Sequence, residues 1–272
     1  MFAVTTRNKL RSRRHAVSMI WAWWHIRKQL ARSPGMLAYT TGIAGLTEFY
    51  TLTLWDKEID MMLFMASDDH RDMMWNTRSW SEAFWSIRWN PTFDEVGTWD
   101  GNAFSDAASK TAVKSKYVGP GYLETSEVPE SLRPYLRNIT RQSEPNTVPL
   151  DAVIGRIPAR SPFAFSRVKR ALRAWRWHQN ILYFKPCAGL GECLLLVVWK
   201  GEATEDSHAL MAALHEAFPD SWAMRFGATD FEIGHWDHLR LREFGPAANS
   251  KPVIGAGNGA DRRDAGPASP DL

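Results

Sequence analysis

One histidine of this sequence lies within an otherwise apolar helical pattern, which makes it the strongest candidate for chemistry. His70 belongs to a run in which apolar residues recur at spacings of three and four, the period of one helix face. The members of this stripe are Ile59, Met62, Leu63, Ala66, His70, Met73 and Met74. An imidazole in such a place can carry a proton, since its unperturbed pKa of about 6.5 lies near working pH. It can equally bond a backbone carbonyl or a neighbour such as Asp56 or Asp69, because a buried imidazole needs a partner.

Other polar side chains are weaker candidates. Arg88 alternates with apolar residues in a predicted strand, where it can meet an anionic group of a ligand or lie on the surface. His25 shares its side of a predicted helix with polar residues, so we expect it to face solvent. His235, Asp237 and His238 follow a predicted strand, but their side chains would point to different faces. We therefore predict no metal site.

Standard signatures and composition exclude several classes of function. The sequence has no GxGxxG after a strand, no Walker A loop, no HExxH and no GxSxG, which disfavours nucleotide-binding, zinc-peptidase and hydrolase functions. A net charge of +3 is too small to argue for nucleic acid. Cys187 and Cys193 form no CxxC motif, which predicts neither disulfides nor structural zinc and indicates a reducing compartment.

No membrane span or export signal is predicted. No apolar run approaches the ~18 residues that a spanning helix needs. The first charges follow the first apolar residues, the reverse of a secretory signal. We therefore expect a soluble cytoplasmic protein. Its 14 Trp and 10 Met residues suit either a packed core or an apolar pocket.

The first part of the chain, residues 1–91, has the order β-α-β-β-α-β, which is that of a ferredoxin-like unit. A short strand is predicted at Phe2–Thr6, and a helix follows from about residue 12 to about residue 32, where Ser33-Pro34-Gly35 ends it. The remaining predicted elements are strands at Met36–Thr41 and Glu48–Trp55, a turn at Gly42–Gly45, a helix at Ile59–Trp75, and a strand at Ala83–Trp89 that ends at Asn90-Pro91.

The second part of the chain repeats this order. Residues 92–150 are rich in turn formers and predict a linker or a functional flap. Residues 151–243 predict a second ferredoxin-like unit, and residues 244–272 a disordered tail. The predicted elements of the second unit are strands at Ala152–Arg156, Ile181–Lys185, Cys193–Trp199 and Phe231–Trp236, with helices at Phe163–Trp177 and Ser207–Phe218.

An internal match supports a tandem duplication. Gly45–Trp55 and Gly189–Trp199 share Gly, Leu, Glu, Leu and Trp at a constant offset of 144 positions. The same offset places His70 opposite Leu214, so the position is apolar in the second copy. A histidine where the other copy has leucine needs a partner, which is either a ligand or a neighbouring group of the protein.

Several short motifs resemble the dimeric α+β barrel superfamily, especially its antibiotic-biosynthesis-monooxygenase-like and spheroidene-monooxygenase-like members. They are Ser33-Pro34-Gly35, Leu54-Trp55-Asp56, Phe64, His70, Trp80 and Phe84. The resemblance covers residues 1–91 well and residues 151–243 through the duplication. It implies an α+β fold in which two ferredoxin-like units pair their sheets as a barrel within one chain, giving a monomer with pseudo-twofold symmetry or a homodimer.

The resemblance also implies a function. The expected activity is monooxygenase-like oxidation of a hydrophobic small molecule in bacterial secondary metabolism, with haem as a cofactor in some members. His70 would be the catalytic residue or the haem ligand, and Arg88 would meet an anionic group of the cofactor. The expected apolar walls of the substrate site are Met62, Phe64, Trp85 and Trp89. The alternative is a non-catalytic ligand-binding or structural protein whose fold merely buries its own tryptophans.

Overall fold

A computed structural model describes residues 1–67, 70, 73, 76–77, 79–105, 150–159, 161 and 163–234. In these residues the element order β-α-β-β-α-β occurs twice. The first run consists of β1 (Phe2–Leu10), α1 (His15–Leu30), β2 (Met36–Gly45), β3 (Glu48–Trp55), α2 (Glu58–Ala66) and β4 (Ser81–Gly97). The second consists of β5 (Leu150–Pro158), α3 (Ala164–Ala171), a 3₁₀ turn (Ala174–Trp177), β6 (Ile181–Ala188), β7 (Glu192–Lys200), α4 (Thr204–Ala217) and β8 (Trp222–Gly234).

The strands form one closed barrel in the order β1-β3-β2-β6-β7-β5-β8-β4. Each half contributes four neighbouring antiparallel strands, in the orders β4-β1-β3-β2 and β8-β5-β7-β6. One join between the halves is the long pairing of β4 with β8, from Trp85↔Gly234 to Gly97↔Trp222. The other is a single pair between β2 and β6, Ile43↔Ala188. The predicted α+β barrel is therefore confirmed as an architecture.

The barrel interior is filled by large apolar side chains from alternate strand positions, as the two-residue period of a strand requires. Its most deeply buried members include Tyr50, Leu52, Leu54, Trp85, Ile87, Trp89, Leu194, Leu196, Val198, Trp222, Met224 and Phe226. Residues just past β4 cover one end. Trp99 and Phe104 pack on Trp222 with ring centroids 5.0 Å and 5.7 Å from it. The Glu95 carboxylate accepts hydrogen bonds from Phe104 N at 2.8 Å and Trp222 Nε1 at 2.5 Å.

The turn after α1 forms where the sequence predicts it. The helix ends at Leu30, and Gly35 adopts a φ of +65°. A side chain at residue 35 would collide with Asp60, so the tight turn requires glycine. The turn allows Asp56 N to donate to Gly35 O at 2.8 Å, which ties α1 to the end of β3.

Several predicted boundaries are wrong. The helix predicted at Ile59–Trp75 does not run unbroken, because α2 ends at Ala66 and Ser67 has extended backbone. Ser67 Oγ donates to Phe64 O at 2.5 Å and so satisfies a carbonyl that the next helical turn would have used. The predicted turn at Gly42–Gly45 is strand, with the chain reversing at residues 46–47. The helix predicted at Phe163–Trp177 is divided into α3 and the 3₁₀ turn.

The two strands that join the halves also differ from the prediction: β4 ends later than predicted, and β8 begins earlier. β4 continues through Asn90-Pro91 to Gly97, because beyond Trp89 it pairs with β8 and has no β1 partner. A proline is tolerated there because β4 beyond Trp89 is paired on one side only, as at the edge of a sheet. The final strand begins at Trp222, well before the predicted Phe231, and residues 235–272 lie outside the described residues.

Candidate functional site

A cavity of about 540 Å³ lies between the helices and the outer face of the N-terminal sheet. Its floor consists of side chains from β1, β3 and β4 that point away from the barrel interior. These are Val4, Thr6, Asn8, Phe49, Thr51, Thr53, Phe84 and Ser86. One wall comes from α1 and another from α2 and the residues after it. A volume of this order suits a small organic ligand.

Part of the floor is open because several of its side chains are short. Thr51 and Thr53 lie on β3, and the offset of 144 positions relates them to Leu195 and Val197 on β7. Leu195 and Val197 are fully buried in the apolar cluster between the C-terminal sheet and its helices, which includes Val168 of α3. The shorter threonines leave the space that the leucine and valine fill in the C-terminal half. The same sheet face is therefore packed solid in one half and lined by a cavity in the other.

The α1 wall is apolar and firmly anchored. Ile26 and Leu30 are buried in a cluster with Trp55, and both also line the cavity. Trp23 meets the edge of Tyr39 with ring centroids 6.3 Å apart. Arg27 is the basic residue of α1 on the lining, and its Nε donates to Tyr39 Oη at 3.4 Å. The guanidinium thus stands beside an apolar cavity, where it can meet an anionic group of a ligand.

His70 lines the cavity opposite α1. Its Nδ1 bonds the Met65 carbonyl at 3.3 Å, so Nδ1 carries the proton and Nε2 keeps its lone pair. The ring lies 4.7 Å from that of Phe64. Burial lowers the pKa of His70 to about 4, although the bond to Met65 works in the opposite direction. The imidazole is consequently neutral at neutral pH.

The backbone carbonyl that the sequence offered as an alternative partner for His70 is therefore present. The offset that places His70 opposite Leu214 does not correspond to the same point in a helix. Leu214 is fully buried within an unbroken α4, whereas His70 follows the end of α2 at Ala66. Beyond the break at Ser67, His70 and Met73 both line the cavity.

The other predicted site residues fall in different places. Phe64 lines the cavity, whereas Met62 is buried in the α1–α2 cluster and does not. Trp85 and Trp89 point to the opposite face of β4 and belong to the barrel core. Their indole N–H groups donate to Glu232 Oε1 at 2.7 Å and Thr5 Oγ1 at 2.8 Å. The predicted strand alternation was correct, but the face that carries these tryptophans is the interior one.

Arg88 does not reach the cavity. Its Nη1 donates to Glu58 Oε1 at 2.7 Å, and its guanidinium lies 4.5 Å from the Phe231 ring centroid. It is 6% exposed, so the ion pair with Glu58 is largely shielded from water. Arg27 is the cationic residue beside the cavity that sequence reasoning missed. The available signal was its spacing of three and four residues from Trp24 and Trp23, which also line the cavity.

A polar network lies where the cavity meets the barrel. Glu48 accepts hydrogen bonds from Arg7 Nε and Tyr50 Oη, both at 2.6 Å, and lies 3.5 Å from Lys185 Nζ. Burial alone would raise the pKa of Glu48, but the bonds from Tyr50 and Arg7 outweigh it and hold the pKa below its usual range. Burial and the bond to Glu48 raise the pKa of Tyr50 far above its usual range. Glu48 is thus an ionised structural acceptor.

The described residues hold neither a metal-binding cluster nor a membrane-spanning helix. No three His, Cys, Asp or Glu side chains within them converge in a way that could hold a metal ion. Within the same residues, no helix has both the length and the apolar character that crossing a membrane requires. His25 is exposed, with its ring centroid 4.3 Å from that of Trp21, in agreement with its predicted place at the surface.

Comparisons with known proteins give distant likenesses. No family model matches the sequence, and no curated protein does. Among solved structures, an aldoxime dehydratase aligns with a TM-score of 0.49 and 10% identity, over 91% of this chain and 88% of its own. A putative monooxygenase from Lactobacillus acidophilus NCFM aligns with a TM-score of 0.33 and 9% identity, over 86% of this chain and 98% of its own.

An anthrone oxidase-like protein is similar at the same level, with a TM-score of 0.31 and 10% identity over 88% of this chain and 95% of its own. All three TM-scores lie below 0.5, so we infer no activity from these similarities. The barrel architecture rests on the strand pairing of the chain itself.

Proposed function

We propose that this chain binds a hydrophobic small molecule in the cavity of its N-terminal half and oxidises it in a monooxygenase-like reaction that depends on His70. The observation that carries the proposal is a neutral imidazole on an apolar cavity of about 540 Å³. The corresponding sheet face of the C-terminal half is packed solid by leucine, valine and tryptophan. If the fold served only to bury its own tryptophans, we would expect the outer sheet faces of both halves to be packed in the same way.

Haem is the cofactor that the lining residues fit. The protonated Nδ1 of His70 is held by the Met65 carbonyl, which leaves Nε2 as the ligating atom. A histidine ligand commonly has its other ring nitrogen fixed by a carbonyl in this way. Arg27 would meet a carboxylate of the cofactor, and Trp23, Phe64 and Met73 would form apolar walls. When bound, haem would supply the redox chemistry that no side chain of this cavity offers.

The depressed pKa of His70 favours the ligand role over the role of general base. A general base works best when its pKa is close to the operating pH. An imidazole with a pKa of about 4 takes up a proton reluctantly at pH 7, but it is fully available as a neutral ligand. The contribution of the chain is therefore to hold a neutral imidazole, orient the bound molecule and exclude water.

The two halves of the barrel also suggest how the fold arose. We propose that the two halves are tandem copies of one ferredoxin-like unit, supported by the repeated element order and by the match of Gly45–Trp55 with Gly189–Trp199. In this view the C-terminal copy keeps a solid core, while the N-terminal copy has acquired the cavity and His70. One chain then provides both sheets of the barrel.

Titration of the purified full chain with haemin tests the cofactor. We expect the parent to develop the Soret band of protein-bound haemin, saturating at one equivalent. We expect His70→Leu to remain folded but to show no Soret band at the wavelength of the parent complex. His25→Leu is the matched control, because His25 is an exposed histidine of α1 that does not line the cavity. It should keep the band of the parent.

Two outcomes would contradict parts of the proposal. A parent protein that gains no band removes haem, and binding of an apolar fluorescent probe would then identify a cofactor-free cavity. If His70→Leu and the parent bind haemin identically, His70 is a packing residue. A cavity that binds its ligand without turning it over would favour the alternative, a non-catalytic binding protein.

A further inference from the structure

Helix α1 presents a second apolar face, directed away from the protein. Val17, Trp21 and Trp24 are 75%, 67% and 54% exposed, and Ile20 is 59% exposed. Their spacing of three and four residues places them side by side on one stripe of the helix. We call these four residues the outer α1 face. Two exposed tryptophans on a single stripe mark an interaction surface more strongly than scattered single apolar residues do.

The outer α1 face continues into the mouth of the cavity. Ile20 and Trp24 are exposed and also line the cavity. Ile43 on β2, Met65 on α2 and Leu190 in the β6–β7 turn share both properties, with Leu190 89% exposed. Apolar side chains from four separate elements therefore surround the opening and face solvent. This arrangement joins the exposed apolar surface to the cavity interior.

Helix α1 and the residues that precede it are basic. No Asp or Glu occurs before Glu48 in the sequence. Arg13 and Arg14 precede α1 and are exposed, as are Arg27 and Lys28 in its last turns. The Lys28 ammonium lies 5.7 Å from the Trp24 ring centroid, so cationic and aromatic groups adjoin on the helix. Exposed tryptophans flanked by Arg and Lys are the composition of helices that lie in a membrane interface.

We propose that α1 docks on an anionic lipid surface through its outer face, with Trp21 and Trp24 entering the headgroup layer and the basic residues meeting lipid phosphates. A second copy of the chain is a poorer occupant. A twofold contact would place the same basic surface against itself, which is electrostatically unfavourable. An anionic bilayer instead complements both the charge and the apolar character of the helix.

If the cavity binds a hydrophobic molecule, as proposed above, docking on a membrane also indicates where that molecule comes from. Docking would turn the apolar mouth, with Ile20, Ile43 and Leu190, toward the bilayer. A hydrophobic molecule could then pass from lipid to cavity without crossing water. The ligand class that follows is a membrane-dissolved, water-insoluble molecule.

Vesicle flotation of the full chain tests the docking without any ligand. We expect the protein to float with vesicles of equal parts phosphatidylglycerol and phosphatidylcholine at low salt, and to remain unbound with pure phosphatidylcholine. The double variant Val17→Ser/Trp21→Ser removes apolar area outside the cavity lining and should weaken binding roughly tenfold or more. The matched control is Phe163→Ser/Trp177→Ser, whose parent residues are 71% and 78% exposed in the C-terminal half. It should bind as the parent does.

Several results would overturn the inference. Absence of binding to phosphatidylglycerol vesicles is one, and equal loss in the test and control variants is another. A concentration-dependent dimer that Val17→Ser/Trp21→Ser converts to a monomer, without vesicle binding, would assign the face to a second copy. Since none of these measurements involves haemin or turnover, they can fail while the proposed function stands, and the reverse also holds.

Discussion

Acid should destabilise the folded protein through His70, and the effect is specific enough to test the site. Burial lowers the pKa of His70 from 6.5 to about 4. The unfolded chain therefore takes up a proton at a higher pH than the folded chain does. Stability from this source is complete above about pH 6.5 and is lost as the pH falls toward about pH 4.

The size of the effect follows from the two pKa values. Between pH 7 and pH 5, a difference of this size corresponds to about 2 kcal/mol of unfolding free energy. His70 is only partly buried, so solvent screening should reduce this to about 1 kcal/mol. His70→Leu removes the titrating group and should remove the same amount from the pH dependence. The absolute stability of the variant at pH 7 is a separate quantity.

Urea unfolding of the parent and of His70→Leu at pH 7 and pH 5 measures this difference. His25→Leu provides the control, since it removes a histidine that is exposed on α1. Equal losses of stability in the parent and in His70→Leu between the two pH values would show that His70 does not cause the pH dependence. A reduced loss in His25→Leu, of the size expected for His70→Leu, would show the same.

Three further changes test other parts of the structure. Thr51→Leu should weaken binding of an apolar probe or haemin roughly tenfold by filling the cavity, while the midpoint of thermal unfolding stays equal or rises. Glu58→Ala should cost about 1–2 kcal/mol in urea unfolding without changing haemin affinity, because it leaves the buried Arg88 guanidinium without this partner, and Glu58 is 32% exposed. Burial raises the pKa of Cys193 to about 11 and that of Cys187 further, so neither thiol should react with iodoacetamide at pH 8 until urea unfolds the chain. A cysteine that reacts in the folded state, or a cavity variant that binds as the parent does, would contradict the corresponding structural assignment.

Much of the fold was predictable because long periodic segments carry their own signal. β3 was predicted at its observed bounds, since β-branched and aromatic residues alternate throughout it. The first helix differs by two or three residues at its ends. The errors occur where tertiary pairing decides the outcome. A proline such as Pro91 normally signals the end of a strand, but β4 continues past it through its pairing with β8.

The candidate site was predictable only in part, because periodicity does not reveal which face of a strand is interior. His70 and Phe64 do line the cavity. Trp85 and Trp89 alternate as predicted, yet their face is the barrel interior, where large side chains fill the space. The cavity side of the same sheet carries threonine and serine, which sequence reasoning reads as ordinary strand residues. These residues form the floor of a cavity because α1 lies over this face of the sheet, and the sequence pattern does not show that arrangement.

The contrast between the two halves connects stability with function. In the C-terminal half, Leu195, Val197 and Trp199 are buried in one apolar cluster with residues of α3 and α4, and the barrel core continues across both sheets. The sheet beneath the cavity is therefore held by interactions on its interior face, independently of what covers its outer face. Because the barrel supplies this rigidity, threonines on the outer face can give up core packing and keep a site open. The same freedom leaves α1 attached by one buried edge, with its tryptophans directed outward and available to a second surface.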